Sequence, residues 1–384
     1  RERRGGQLRW RMEGLLRLGS EVEAGCSRAG STLSWAARPA LAQGRLPLAE
    51  LAVGRTPVTA QPRMGALARV GFMSIFSARP VAAGVARLMQ LGVRLGSARS
   101  SERARVRLPE YPGRTESLQI PTSFGLTTAT VYRPETNGPL PAVHLNLHGG
   151  GYVLDLTTMD DPACRLLAAT SGSVVVNAEY VLAPQHRFPD PPDHAYEIAS
   201  WLAAHGAEHG WDGSRLTIGG QSAGGALAAA VARMALERGG PALSLQVLHY
   251  PVLDLTVPAR SKRSVIRRPK LRPWMGEVFD SSYVPDPAQR ADRLVSPAAA
   301  GDIADLDGIA PAVVIAAEFD ILAAEAGRYA DRLAGAGALV EFRTIAGADH
   351  GYDLDDDARC REVYTLIARH IRHAVAGQAD GIAD

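Results

Sequence analysis

The sequence predicts an α/β protein with a mainly parallel central sheet, helices on both of its faces, and a helical cap above. Two observations carry that expectation. Beyond Pro109, short apolar runs alternate with longer segments of helical periodicity, the pattern of parallel strands joined by crossover helices. The alternation lapses once, into a basic, Pro-rich stretch at 258–297 that reads as an insertion above the sheet. Together with the helical spacing between Met64 and Leu95, it would supply the cap.

The elements follow in chain order. Residues 1–60 are rich in Gly, Ala, Arg and Pro, with weak periodicity, and read as a poorly ordered leader with a short helix at Arg9–Leu18. Residues 61–110 form the N-terminal cap segment, with two helices around Pro80. The main domain spans 111–376, and 377–384 are a tail. Ser117–Ile120 and Thr127–Tyr132 read as strands around the Phe124-Gly125 turn. Further strands are expected at Ala142–Leu147, Ser173–Ala178, Leu216–Ile218, Leu245–Leu248, Ala312–Ala316 and Val340–Thr344. Helices are expected at Asp161–Thr170, Pro192–His205, Ala223–Glu237, Ala323–Ala334 and Ala358–Ala376. No internal repeat is visible.

Composition narrows the class. An apolar share of 46% and a charged share of 21% are ordinary for a globular protein. The net charge of +2 hides an asymmetry: residues 1–110 carry 19 Arg against 7 acids, and an acidic body follows. Lys262 and Lys270 are the two lysines of the whole chain, so the basic leader reflects a general use of Arg. Aromatic residues do not interleave with the Arg as single-strand nucleic-acid binding would require, so no nucleic-acid partner is expected. Cys26, Cys164 and Cys360 are odd in number and widely spaced, giving neither a disulfide framework nor a metal-ligand pattern. No spanning helix or signal peptide is evident, which points to a cytoplasmic protein, with membrane or envelope association as an option through the leader.

The chemistry concentrates in three places. Leu216 to Ala226 holds G-x-S-x-G between a strand and an Ala-rich helix, the context in which Ser222 would stand exposed on a strained turn at a helix N-terminus. His148-Gly149-Gly150-Gly151 follows the strand Ala142–Leu147. Its bare amides suit an oxyanion, with N–H donors from Gly150, Gly151 and Ala223, while the His148 ring holds the loop in shape. A phosphate cradle is the other use of such glycines, but no Walker-type Lys follows. Ser222 needs a base, and His350 lies in a Gly-flanked loop after the last strand. Asp320 ends the preceding strand, in the chain order Ser, Asp, His of a nucleophile-elbow triad. Asp349, Asp353, Glu318 and Asp254 are rivals for the orienting acid: the first two sit too near His350 in sequence, Glu318 is set to point away, and Asp254 reads as a loop anchor. His205, His209, His370 and His373 read as solvated helix residues, and the His205/His209 spacing makes no metal site.

These motifs together resemble the hormone-sensitive-lipase family of α/β-hydrolases, in its bacterial esterase branch, over about 111–376. The stretches that carry the likeness are His148 to Gly151, Tyr180 to His186 with Phe188-Pro189, Gly220 to Gly225, Tyr250 to Asp254, Glu318 to Asp320, and Asp349 to Gly351. The resemblance implies an α/β-hydrolase fold, a Ser222–Asp320–His350 triad, an oxyanion hole from Gly150, Gly151 and Ala223, structural support from His148, Gly149 and Gln221, and no cofactor or metal. It implies a serine esterase for short- to medium-chain acyl esters, acting on a small-molecule or lipid ester. Acyl transfer, lipase action and a non-catalytic binding role are the alternatives. Peripheral membrane contact through the leader and a homodimer are further partner options. Two positions depart from the family pattern: Gln221 stands where an acid is usual, and Val181 where an Arg is usual.

Overall fold

The computed structural model describes residues 74–135 and 139–376. The expectations for the leader 1–60, the Arg9–Leu18 helix and the tail 377–384 lie outside the described residues. A short 3-10 turn at Ile75–Ser77 leads into helix α1 (Arg79–Val106). Of the two helices expected around Pro80, this is the second; the first falls mainly on residues before 74, outside the described residues. Pro80 stands in the first turn, where its missing N–H removes no helical bond, and the helix continues past Leu95.

Strands β1 (Arg114–Thr122) and β2 (Gly125–Arg133) form an antiparallel hairpin. Gly125 adopts φ 108° at its turn, a conformation open to glycine. There follow β3 (Ala142–Leu147), α2 (Asp161–Ser171), β4 (Val174–Ala178), α3 (Asp190–Ala204), the single-turn α4 (Gly206–His209) and β5 (Asp212–Gln221). Next are α5 (Ala223–Arg238), β6 (Leu245–His249), α6 (Pro273–Tyr283) and β7 (Ala312–Ala317). The last elements are α7 (Ala323–Gly335), β8 (Leu339–Ile345) and α8 (Asp357–Ala376).

The strands make one sheet in the order β1-β2-β4-β3-β5-β6-β7-β8. From β4 through β8 every pairing is parallel, and β2 joins β4 antiparallel. Strands β3, β4, β6 and β7 are buried at every position. Their residues alternate between two cores: Val314 and Val176 face α3, α5 and α7, whereas Val313, Ile315 and Val175 face α2 and α8. Each fully buried Val, Leu or Ile contributes roughly 1.5–3 kcal/mol, which makes the sheet the rigid platform of the molecule.

The insertion contains a helix that its Pro-rich sequence masks. Helix α6 starts on Pro273, and Trp274, Met275, Val278 and Phe279 give it an apolar face that packs against α1. Lys262 anchors the stretch before it through a buried ion pair to Glu325 of α7 at 2.6 Å.

Candidate active site

The carboxyl ends of the parallel strands bring four loops to one rim, the position where open α/β sheets present their chemistry. Strand β5 runs into α5 through Ser222, whose φ of 55° and ψ of −115° are strained for a residue with a side chain. The Ser222 N–H donates to His249 O at 2.9 Å and its carbonyl accepts from Ala226 N at 3.1 Å, so the backbone is held on both sides. Small neighbours make the turn feasible. A Cβ at Gly224 would come within 1.8 Å of Leu147 O, and one at Gly220 within 2.3 Å of the same atom.

Ser222, His350 and Asp320 stand in a row. His350 Nε2 is 3.0 Å from Ser222 Oγ, and His350 Nδ1 is 2.6 Å from Asp320 Oδ2. Asp320 sits three residues beyond β7, and its other carboxylate oxygen accepts from Leu322 N at 3.1 Å. His350 lies in the loop after β8, with its ring edge-on to Tyr250 at 4.9 Å. Burial acts to lower the imidazole pKa, but Asp320, through charge and hydrogen bond, and then Asp349 and Asp353 outweigh it, leaving the net shift upward.

The glycine loop lies against this row. An added Cβ at Gly149 would sit 3.7 Å from Ser222 Cβ. Gly150 and Gly151 have φ of 115° and 62°, and among the described residues their amides and that of Ala223 donate to no protein acceptor. Three amides beside the serine are thus free to receive a negatively charged oxygen. His148 is fully buried, its Nδ1 2.6 Å from Gly149 O and its ring stacked on Tyr180 at 4.4 Å. Burial lowers its pKa and favours the neutral ring, which suits a loop support. Overhead, a Cβ at Gly151 would meet the Phe279 ring of α6 at 2.3 Å, and Tyr152 stacks on Tyr283 of α6 at 3.8 Å.

The rival acids have other partners. Glu318 Oε2 accepts from Gly347 N at 2.6 Å, Asp349 Oδ2 from Lys270 N at 2.6 Å, and Asp254 pairs with Arg328 at 2.7 Å. Asp353 accepts from the hydroxyls of Tyr250 and Tyr364. The expectation of solvated helix histidines is corrected at three of the four: His370 lies 2.6 Å from Glu341, and His205 and His209 pack on Trp201 at 4.8 and 4.9 Å, whereas His373 is exposed. Among the described residues no cluster of His, Cys, Asp and Glu could hold a metal ion. No described helix is long and apolar enough to cross a membrane.

Beyond Gln221, pattern reading missed the rest of a buried polar row behind the serine. Gln221 contacts Asn146 and Tyr364, and Asn146 contacts Asp160 and Asn177. The available signal was an Asn in each of two buried, mainly apolar strands, Asn146 in β3 (which also holds His144) and Asn177 in β4.

Comparison with known proteins converges on the same region. A family model described as α/β-hydrolase fold matches residues 144–354. Carboxylesterase NlhH of Mycobacterium tuberculosis is 34% identical over 233 residues, 59% of this chain and 72% of its own. An ethyl acetate hydrolase of Pseudomonas putida is 35% identical over 247 residues, 63% of this chain and 77% of its own. Among solved structures, EstE1, a thermostable carboxylesterase cloned from a metagenomic library, aligns with a TM-score of 0.67 at 32% identity. The alignment covers 79% of this chain and 99% of that one.

Proposed function

The chain belongs to the α/β-hydrolase family and is a carboxylic-ester hydrolase, and on that premise we propose that Ser222, His350 and Asp320 carry the reaction on short- to medium-chain acyl esters. The observation that supports the assignment is the row of contacts from Asp320 through His350 to Ser222, at 2.6 and 3.0 Å.

In this reading Ser222 Oγ attacks the ester carbonyl while His350 Nε2 takes the hydroxyl proton. Asp320 accepts from His350 Nδ1, holding the tautomer that leaves Nε2 free and stabilising the imidazolium. The carbonyl oxygen gains charge as the C–O double bond opens, and the amides of Gly150, Gly151 and Ala223 receive it. His350 returns the proton to the departing alcohol, leaving Ser222 acylated. Water repeats the sequence: His350 takes its proton, the acyl carbon is released as the acid, and Ser222 regains its hydrogen.

Helices α1 and α6 act as a cap over this rim. The rings of Phe279, Tyr152 and Tyr283 close in above the glycine loop, which supports a limited acyl length. Hydrolysis of p-nitrophenyl esters of increasing chain length tests this. Rates should peak at short chains and fall steeply for long ones, whereas a rising profile would favour lipase action. Two further partner readings have support. Exposed leucines on α1 favour peripheral membrane contact, and β8, an edge strand with Val340 and Phe342 exposed, offers a surface for a homodimer.

A further inference from the structure

Behind the Ser222 turn, the buried polar row can be assigned one hydrogen at a time. Its fixed point is the backbone carbonyl of Thr157, which can only accept. Asn177 Nδ2 donates to it at 2.9 Å, so Asn177 Oδ1 faces the other way and accepts from Asn146 Nδ2 at 3.0 Å. Asn146 Oδ1 then accepts from Gln221 Nε2 at 3.0 Å, and the same nitrogen donates to the Tyr364 hydroxyl at 3.0 Å. Tyr364 gives its own hydrogen to Asp353 Oδ2 at 3.1 Å, and Tyr250 donates to Asp353 Oδ1 at 2.7 Å.

Every orientation is now spent, and Gln221 Oε1 is left 3.1 Å from Asp160 Oδ2 and 3.3 Å from Leu147 O. Two buried acceptors face each other at hydrogen-bond distance, an arrangement that costs free energy unless a hydrogen lies between them. Turning the Gln221 amide does not cure this. Nε2 would satisfy Asp160, but Oε1 would then meet Asn146 Oδ1 at 3.0 Å. Turning Asn146 and Asn177 in their turn ends with Asn177 Oδ1 against the Thr157 carbonyl. A single proton on Asp160 resolves the side-chain row, because its Oδ2 can donate to Gln221 while accepting from Asn146 Nδ2 at 3.1 Å, and leaves only the longer 3.3 Å approach of Gln221 Oε1 to Leu147 O.

We propose that Asp160 is a neutral carboxylic acid that donates to Gln221 Oε1, and that this bond makes it a positioning residue for the turn carrying Ser222. The positioning role rests on Ser222 being the nucleophile; the proton does not. The surroundings of Asp160 agree. It occupies the N-cap position of α2 yet makes no side-chain cap bond, its carboxyl having turned inward. Burial raises its pKa, the Asn146 hydrogen bond opposes, and Asp353 and Asp155 add to the rise, which reaches about 8. Tyr132, Cys164, Tyr180 and Tyr250 face it from β2, α2 and the loops after β4 and β6. Across a cavity of about 10 Å³, room for one water, stand Arg107, Asp353, Cys360 and Tyr364. Loss of the proton would set a carboxylate against Gln221 Oε1 and drive the amide to turn, releasing Tyr364 and the residue next to Ser222.

An infrared pH titration of the whole chain, wild type beside Asp160→Asn, tests the proposal. In wild type the carbonyl band of a protonated carboxyl should bleach as pH rises through about 8, and that band should be missing from Asp160→Asn. Over the same range wild-type kcat should fall with KM unchanged. Asp160→Asn, whose amide can still donate to Gln221 although it no longer accepts from Asn146, should stay within about tenfold of wild type and lose that fall. A wild-type spectrum with no carboxyl titrating there overturns the proposal even if the variant fails to fold. The same alkaline fall in Asp160→Asn overturns the positioning role. If Ser222 were not the nucleophile, Ser222→Ala would remain active while the band still titrated, so the two failures read differently.

Discussion

In the proposed mechanism His350 must be neutral to take the proton from Ser222, yet its neighbourhood favours the charged ring. Burial lowers its pKa, but Asp320 at 2.6 Å, with Asp349 and Asp353 behind it, carries the balance above the ordinary 6.5. The sign follows: below that raised value the ring is protonated and cannot act as base, so kcat/KM should fall on the acid side with a midpoint above 6.5. In Asp320→Asn the carboxylate is gone and the tautomer is no longer held. The acid limb should move to lower pH, and kcat should drop by roughly 10⁴, the scale set by the corresponding change in a serine protease. A pH–rate profile of the two proteins reads both, and an unmoved limb would remove Asp320 from its role. Much at this level was legible in the sequence. Ser222, His350 and Asp320 all follow strand ends, the first two among small residues, and the glycines around Ser222 mark close backbone approach. The Asp160–Gln221 contact was not legible, because it joins residues 61 positions apart through side-chain orientations that no periodicity encodes.

Helix α1 shows how an element can exceed its pattern. Its inner face packs Ala82 and Ala86 without exposure, and Gln90 donates to Val153 O at 2.9 Å and Ala183 O at 3.0 Å, tying the helix to the segment after the glycine loop. Its outer face leaves Leu88, Leu91 and Leu95 exposed at 67%, 52% and 79%, spaced as one stripe and flanked by Arg87, Arg94 and Arg99. Apolar side chains bordered by cations suit the boundary of an anionic lipid surface. The intact chain should therefore bind anionic vesicles more strongly than neutral ones, and less so as salt rises. Replacing Leu88→Gln and Leu95→Gln together should weaken binding more than tenfold, given roughly 1.5–3 kcal/mol for each leucine fully withdrawn from water. Co-sedimentation measures this, and equal binding by the double variant would contradict the reading. The insertion illustrates the converse. Both lysines of the chain lie in it: Lys262 pairs with Glu325, and Lys270 contacts Asp355 at 2.9 Å beside the His350 loop. Its prolines and Arg disguised α6, although Trp274, Met275, Val278 and Phe279 already recur at helical spacing.

The alternation of apolar runs and helical stretches was enough to give the whole architecture, because strands buried on both faces leave unbroken Val and Ile runs such as Val174–Val176 and Val313–Ile315. It did not give strand lengths. Strand β5 extends from Asp212 to Gln221, beyond the apolar Leu216–Ile218, since Gly219 and Gly220 carry the strand onward where the glycine loop must pass close. What the fold accomplishes is convergence: residues at 149, 222, 320 and 350 meet at one rim only because four strand ends do. The most direct measurement is turnover of a short p-nitrophenyl ester by wild type and Ser222→Ala in parallel. Loss of the serine hydroxyl should lower kcat by about 10⁶, as removal of a triad serine does elsewhere, with the fold intact by circular dichroism. Equal rates from the two proteins would show that Ser222 is not the nucleophile.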